Sequence, residues 1–128
     1  MSTQEIQTLA QQFADGFNKK NLKAVLDMLS DDLEVFDHVP YRFDNKTQFA
    51  DFMAGAMEGI ASVSFGFRQP SCRVFNENTG VFNAYDAFTG VTKDGKVQTL
   101  HGRTTLVFVK QGGQWRIVSA HFSPLPHA

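Results

Sequence analysis

The sequence predicts an α+β domain in which three N-terminal helices pack on a strongly curved antiparallel sheet. Up to about residue 60, apolar residues recur at steps of three and four, which is typical of amphipathic helices. Beyond that point apolar and polar residues alternate with a period of two, which is typical of strands. Turn residues at 94–95 (Asp-Gly) and 112–113 (Gly-Gly) separate the later strands. Helices followed by consecutive hairpins favour a sheet with its helices on one face.

The helical half contains three apolar stripes. The first predicts a helix from about residue 3 to residue 19, and the second predicts a shorter helix that begins at Leu22 and ends before residues 30–32. The third helix is expected to begin at Asn45, because Gln48 follows it at the spacing of a capping box, and to close near Gly59. Residues 33–37 are predicted to form a short strand between the second and third helices.

The second half predicts four segments of strand. Residues 62–75 contain Pro70, which lacks a backbone donor, so they form one bent strand or two short ones. Residues 81–91, 97–109 and 115–123 give the remaining strands. A long twisted sheet around three helices is expected to form a cone with a cavity at its wide end.

Length and charge narrow the classes of function. The 128 residues suit a single domain over 1–128. The formal net charge is −1 and no run of Lys and Arg exceeds two residues, which argues against nucleic acid and anionic membranes as partners. No apolar run approaches the ~18 residues of a membrane span, and the polar N-terminus is unlike a signal peptide. We therefore expect a cytoplasmic protein with no membrane partner.

Two segments carry a resemblance to a known superfamily. Residues 28–37 (MLSDDLEVFD) resemble the passage from the second helix into the first strand, and residues 112–123 (GGQWRIVSAHFS) resemble the last hairpin and strand. With the helix–helix–strand–helix–sheet order, the chain is similar to the nuclear transport factor two-like, or cystatin-like, superfamily. This includes ketosteroid isomerases, SnoaL-like polyketide cyclases and the association domain of calcium/calmodulin-dependent kinase. The resemblance implies one SnoaL-like domain, in a fold that hosts enzymes, binding proteins and assembly modules alike.

Asp37 is the candidate catalytic residue. In ketosteroid isomerase-like proteins an aspartate at the matching place is the general base, so the resemblance implies this role for Asp37. A carboxylate in an apolar pocket can move a proton between two carbons of a bound ligand. The alternative is an aspartate at a strand end that caps the loop of residues 38–41.

Two other positions argue against steroid isomerisation. Ketosteroid isomerases stabilise their dienolate with a tyrosine on the first helix and a protonated aspartic acid on a later strand. An ungapped alignment places Phe13 and Thr105 there. Phenylalanine has no donor and threonine is not an acid, so a donor for the developing charge must come from elsewhere.

Arg103, Thr105 and Asp86 are candidate ligand-binding residues. Arg103 and Thr105 lie two apart and share a strand face, which the alignment predicts to be the cavity side. A guanidinium there would favour a carboxylate or phosphate on the ligand. Asp86 shares a face with Phe82, Ala84 and Phe88 and therefore needs a partner, for which Arg103 is the expected choice. Whether the pair belongs to a pocket or is a structural bridge is open, and Arg103 facing solvent is the alternative.

The remaining candidates for ligand binding are His38, Tyr41 and His121. His38 follows Asp37, and Tyr41 is a hydroxyl donor expected near the pocket mouth. His121 matches the histidine of the association-domain ending and lies on a polar face that is either the cavity or a dimer surface; a structural histidine is the alternative. No His spacing suggests a metal, and no phosphate loop or nucleophile elbow occurs, so we expect neither metal nor cofactor.

Two functions fit these observations. The first is a small-molecule-binding SnoaL-like domain with a pocket lined by Phe, acting as an isomerase, cyclase or hydrolyase on a small apolar carbonyl or carboxylate compound. The second is a non-catalytic ligand-binding or oligomerisation module like the kinase association domain. The resemblance also implies a homodimer through the outer sheet face, for which Asn83, Tyr85, Ser119 and His121 are the candidate residues.

Overall fold

The computed structural model describes residues 3–37 and 42–126 and has the predicted α+β class. One five-stranded sheet has the order β1-β5-β4-β3-β2. Along the chain the elements are α1 (Thr3–Asn18), α2 (Leu22–Asp27), β1 (Leu29–Phe36), α3 (Lys46–Glu58), β2 (Ile60–Phe75), β3 (Thr79–Thr92), β4 (Val97–Gln111) and β5 (Gln114–Pro124). The strong curvature of the sheet stays a prediction. No helix among the described residues has the length and apolar character needed to cross a bilayer.

The pairing of β1 corrects the prediction of a wholly antiparallel sheet. β1 runs parallel to β5, with Leu29 opposite Ile117 and Phe36 opposite His121, whereas the other neighbouring pairs are antiparallel. Residues 37–113 separate β1 from β5, so no tight turn fixes their relative direction. β1 also starts earlier than predicted, at Leu29, where the N–H of Ile117 donates to the carbonyl of Met28 at 2.8 Å.

α1 packs its apolar stripe on the sheet. Its buried residues include Ile6, Ala10 and Phe13, and the helix lies against β2 and β3. Gly80 in β3 allows this contact, because a Cβ there would overlap the side chain of Ile6. Full burial of a large apolar side chain such as Phe13 is worth about 1.5–3 kcal/mol, so this stripe is a main source of stability.

α3 begins where its cap predicts. Asn45 Oδ1 accepts from the N–H of Gln48 at 2.9 Å, and Gln48 Oε1 accepts from the N–H of Asp44 at 2.8 Å. Gly59 closes the helix. Within α3, which is described in full, Phe49 is the one buried residue. The remaining apolar side chains of α3 are therefore available to cover a space between the helix and the sheet.

β2 passes through Pro70 as one bent strand. Its register with β3 shifts between Arg68 and Ser71, where Gln69 has φ 51°. β2 is an edge strand and pairs with a neighbouring strand on one side only, so the backbone N–H that Pro70 lacks can be missing there without loss of strand pairing. Asn18 covers part of this edge: its side chain accepts from the N–H of Phe65 at 2.6 Å and donates to the carbonyl of Phe65 at 2.9 Å.

Candidate functional site

A largely apolar cavity of about 330 Å³ lies between α3 and the inner face of the sheet. This volume is in the range of pockets that bind small molecules. Met53 and Met57 of α3 contribute to its wall. The aromatic part of the wall consists of Phe17, Phe49, Phe52, Phe65, Phe88 and Phe122. A pocket lined by phenylalanine is what the sequence predicts, and here the rings leave an open space between them.

Two carboxylates line this apolar cavity. Asp37 comes directly after the last residue of β1 and is half-buried. Asp86, in the middle of β3, is only 7% exposed. A buried carboxylate is costly unless it accepts hydrogen bonds, and Thr104 Oγ1 donates to Asp86 Oδ2 at 2.5 Å. The cavity therefore combines an aromatic wall with two acidic groups, one just after the end of β1 and one in the middle of β3.

Strand register brings Asp86 and Thr104 together. Directly opposite residues of an antiparallel pair share a face, and Asp86 lies opposite Gly102 while Ala84 lies opposite Thr104. Thr104 is thus the diagonal neighbour of Asp86. A Cβ at Gly102 would lie 3.1 Å from Asp86 Oδ1 and 2.5 Å from the carbonyl oxygen of Ser123. Glycine at this position leaves the space that the carboxylate of Asp86 occupies.

The predicted cavity positions of Arg103 and Thr105 are wrong. Arg103 is exposed and lies opposite Tyr85, on the outer face of the sheet. Thr105 lies on the same outer face, where its hydroxyl donates to Asn83 Oδ1 at 2.5 Å. The ungapped alignment assigned the wrong face of β4 to the cavity, because it is displaced by one residue. Such a displacement moves every side chain of a strand to the opposite face.

This correction also changes the expected ligand. Arg103 and Asp86 lie on opposite faces of the sheet, so Arg103 is not the partner that the sequence predicts for Asp86. Thr104 takes that place. Because Arg103 does not line the cavity, the expectation of a carboxylate or phosphate on the ligand loses its basis.

The histidine and tyrosine candidates divide into two groups. His121 is exposed on the outer face, where its ring stacks on Phe36 with centroids 6.1 Å apart. Of the two surfaces predicted for its polar face, the structure therefore selects the outer one. His38 and Tyr41 lie outside the described residues, so their predicted roles in ligand binding stay predictions.

The first helix offers no polar group at Phe13. This residue is 1% exposed and packs against Phe17 and Phe122.

The inward-facing threonine of β4 is Thr104, which sequence reasoning missed together with Gly102. A signal for both was available in the even-numbered residues Leu100, Leu106 and Phe108, since a buried face collects such side chains.

A metal site and a reactive thiol have no support in the described parts of the chain. There, no three His, Cys, Asp or Glu side chains form a group that could hold a metal ion. Burial raises the pKa of the Cys72 thiol, which keeps it in the protonated and less nucleophilic form.

The comparison with protein families decides the assignment. The profile described as SnoaL-like domain matches residues 6–127, which is nearly the whole chain. The chain belongs to the SnoaL-like domain family. The resemblance predicted from residues 28–37 and 112–123 is thereby confirmed. A comparison of this SnoaL-like domain with curated protein sequences found no match.

Solved structures show the same fold. A candidate calcium/calmodulin-dependent protein kinase II association domain from Xanthomonas campestris superposes with a TM-score of 0.87 at 19% identity, over 100% of this chain and 91% of that one. An NTF2-like superfamily protein from Salmonella enterica gives 0.85 at 22%, over 98% and 92%. A candidate scytalone dehydratase from Novosphingobium aromaticivorans gives 0.86 at 11%, over 94% and 82%. At these identities the likeness establishes the nuclear transport factor two-like fold.

Proposed function

We propose that this SnoaL-like domain binds a small, mostly apolar carbonyl compound in its cavity and moves a proton within it, with Asp37 as the general base. The observation that carries the proposal is a carboxylate, Asp37, in the wall of an aromatic cavity of about 330 Å³. A strongly curved, cone-shaped sheet, as the sequence predicts, would enclose such a cavity at its wide end. The structural likeness to a candidate dehydratase supports the same type of chemistry.

The chemistry begins at a carbon next to the carbonyl group. Asp37 accepts the proton from that carbon, and the electron pair of the C–H bond moves into an enolate. Return of the proton from Asp37 to another carbon completes an isomerisation. Loss of hydroxide from the adjacent carbon, which takes the proton from Asp37 and leaves as water, completes a dehydration. Attack of the enolate carbon on a second carbonyl closes a ring, and the alkoxide formed takes the proton from Asp37. Steroid isomerisation is not proposed, because Phe13 offers no hydrogen-bond donor to the enolate oxygen.

The test measures proton removal directly with 2-tetralone, a bicyclic ketone whose C1–H is acidic. The protein is incubated with 2-tetralone in D₂O, and proton NMR follows the replacement of hydrogen by deuterium at C1. We expect the wild type to accelerate exchange over buffer. A general base contributes about 10²–10⁴-fold, so Asp37→Asn should remove about 100-fold or more of the acceleration.

Asp51→Asn is the matched control, because Asp51 is an exposed aspartate on α3 and does not line the cavity. This variant should exchange 2-tetralone at the wild-type rate. Equal rates for the wild type and Asp37→Asn would remove Asp37 from the role of base. Exchange no faster than in buffer would contradict proton transfer as the function.

A second candidate function is a non-catalytic assembly module. It is favoured by aromatic side chains on the outer face of the sheet, where Phe36 and Tyr85 are each 44% exposed. Asn83, Ser119 and His121, the other residues expected at a dimer surface, lie on this face too. The structural likeness to a candidate association domain supports the same assignment. A homodimer through this face is compatible with a ligand in the cavity, because the two lie on opposite sides of the sheet.

A further inference from the structure

Asp86 occupies a position where the fold alone would favour an apolar residue. It is 7% exposed, and its neighbours on the inner face of β3 are Ala84 and Phe88. Burial of a carboxylate costs free energy that a hydrophobic side chain of similar size would not, and replacement of buried polar pairs by apolar ones is often neutral or stabilising. A buried acidic group in a cavity wall is therefore a candidate for ligand contact.

The surroundings of Asp86 are built to hold its carboxylate in one place. Thr104 is 1% exposed, and its hydroxyl donates to Oδ2. On the other side, the absence of a side chain at Gly102 leaves room for Oδ1. Both supporting residues lie on β4, so the rigid centre of the sheet positions the carboxylate.

We propose that Asp86, held in place by Thr104, is a polar subsite that binds a hydroxyl or ammonium group on an otherwise apolar ligand and disfavours ligands with a carboxylate at that end. This deepens the proposed function and rests on its claim that the cavity binds a small molecule. It replaces the anionic ligand predicted from Arg103 with an alcohol, phenol or amine. Asp37 and Asp86 would then have separate tasks, with the first acting on a C–H bond and the second binding the polar end of the ligand.

The chemistry of a carboxylate sets this preference. An ionised carboxylate only accepts hydrogen bonds and has about four lone-pair directions, so a ligand donor can share it with Thr104. Hydrogen bonds to charged groups are stronger than those between neutral groups. A ligand carboxylate would instead meet a like charge inside a cavity whose apolar wall screens it poorly. Among the described residues, this wall contains no Lys, Arg or His that would attract an anion.

The experiment compares four probes that share one apolar body: naphthalene, 2-naphthol, 2-(aminomethyl)naphthalene and 2-naphthoate. Dissociation constants are measured at pH 7 by NMR titration. For the wild type we expect the naphthol and the amine to bind about tenfold more tightly than naphthalene, since a hydrogen bond to a charged group is worth about that factor. The naphthoate should bind more weakly than naphthalene.

Substitutions then assign the preference to the subsite. In Asp86→Asn the amine should lose most of its advantage over naphthalene, while the naphthoate gains affinity relative to naphthalene. Thr104→Val should weaken the preference for the amine, and Thr104→Ser, which keeps the hydroxyl, should retain it. Asp51→Asn, an exposed aspartate outside the cavity, should show the wild-type order of all four probes.

Several results would overturn the subsite. Equal affinities for naphthalene, the naphthol and the amine in the wild type would show that no polar anchor exists. A uniform change for all four probes in Asp86→Asn would indicate a purely structural role for Asp86. If none of the probes binds, both the subsite and the proposed function fail. If the amine preference depends on Asp86 but Asp37→Asn leaves proton exchange unchanged, the subsite stands and proton transfer falls.

Discussion

At the scale of single residues, the site depends on which side chains of β4 face inward. Thr104 donates to Asp86, and Gly102 leaves room for the same carboxylate. Arg103 and Thr105, one residue away from these positions, face outward. A shift of one residue therefore removes the predicted guanidinium from the cavity wall and leaves the two carboxylates there.

Replacement of Gly102 by alanine is predicted to change the free energy of unfolding in the direction opposite to the usual one for a strand glycine. Alanine in place of a strand glycine normally stabilises a protein by about 0.5–1 kcal/mol, because glycine loses more entropy on folding. Gly102→Ala should instead lower the free energy of unfolding by about 1–3 kcal/mol, since its Cβ would collide with the carbonyl of Ser123 and crowd Asp86. Urea denaturation measures the change.

Gly66 in β2 is the matched control for this substitution. A Cβ at Gly66 has no atom within 4 Å, and Gly66 is not among the positive-φ glycines. Gly66→Ala should therefore leave stability unchanged or raise it slightly. If both variants gained a similar free energy of unfolding, the Cβ at position 102 would be accommodated beside the carbonyl of Ser123 without a cost in stability, and the prediction would be wrong.

At the scale of elements, α3 is fixed at its start, and its residues beyond Phe49 are exposed or half-buried where the helix borders the cavity. The Asn45 cap and the buried ring of Phe49 hold its N-terminal half. Met53 and Met57 extend over the cavity, where flexible thioether side chains can adapt to a ligand. The opposite wall includes Phe65 on the edge strand β2, so the cavity also depends on how that edge is held.

Asn18 is predicted to stabilise the edge strand. It makes two hydrogen bonds to the backbone of Phe65, which lines the cavity. Each such bond is worth about 0.5–1.5 kcal/mol, so Asn18→Ala should lower the free energy of unfolding by about 1–3 kcal/mol in urea denaturation. Gln12→Ala, an exposed position on the same helix, should change it by less than about 0.5 kcal/mol. Equal effects would contradict the role of Asn18 at the edge.

At the scale of the whole molecule, the two faces of the sheet have different chemistry. The inner face carries the core, the cavity and Asp86. The outer face carries Arg103, Thr105 and the stacked pair of Phe36 and His121. Exposed aromatic side chains on a sheet are typical of protein–protein contacts, and this favours the outer face as the surface for a second copy.

The assembly can be tested by sedimentation at micromolar concentrations. We expect the wild type to have twice the 14.3 kDa mass of the chain. Tyr85→Lys should give a monomer, because the new positive charge would lie opposite Arg103 and would be costly to bury in an aromatic interface. Gln12→Lys, which adds the same charge to an exposed position on α1, should remain a dimer. A monomeric wild type would contradict the assembly function.

The sequence by itself determined the features that depend on neighbours along the chain. Stripes at steps of three and four gave the helices, Asn45 with Gln48 gave the start of α3, and the Asp-Gly turn placed the hairpin that joins β3 to β4. The shared face of Asp86 and Phe88 was also readable, since side chains alternate along any strand. The family resemblance was readable too, because residues 28–37 and 112–123, which carry it, are each continuous in sequence.

Only the tertiary structure decided which face of β4 meets the cavity, which direction β1 takes and which partner Asp86 finds. Alternation along a strand defines two faces. The large apolar side chains of Leu100, Leu106 and Phe108 are a signal for the buried face of β4, but only the packed structure shows that this face meets the cavity. The parallel pairing of β1 with β5 and the bond from Thr104 to Asp86 join residues far apart in sequence. Such contacts depend on register between strands, and register is fixed only when the whole core packs.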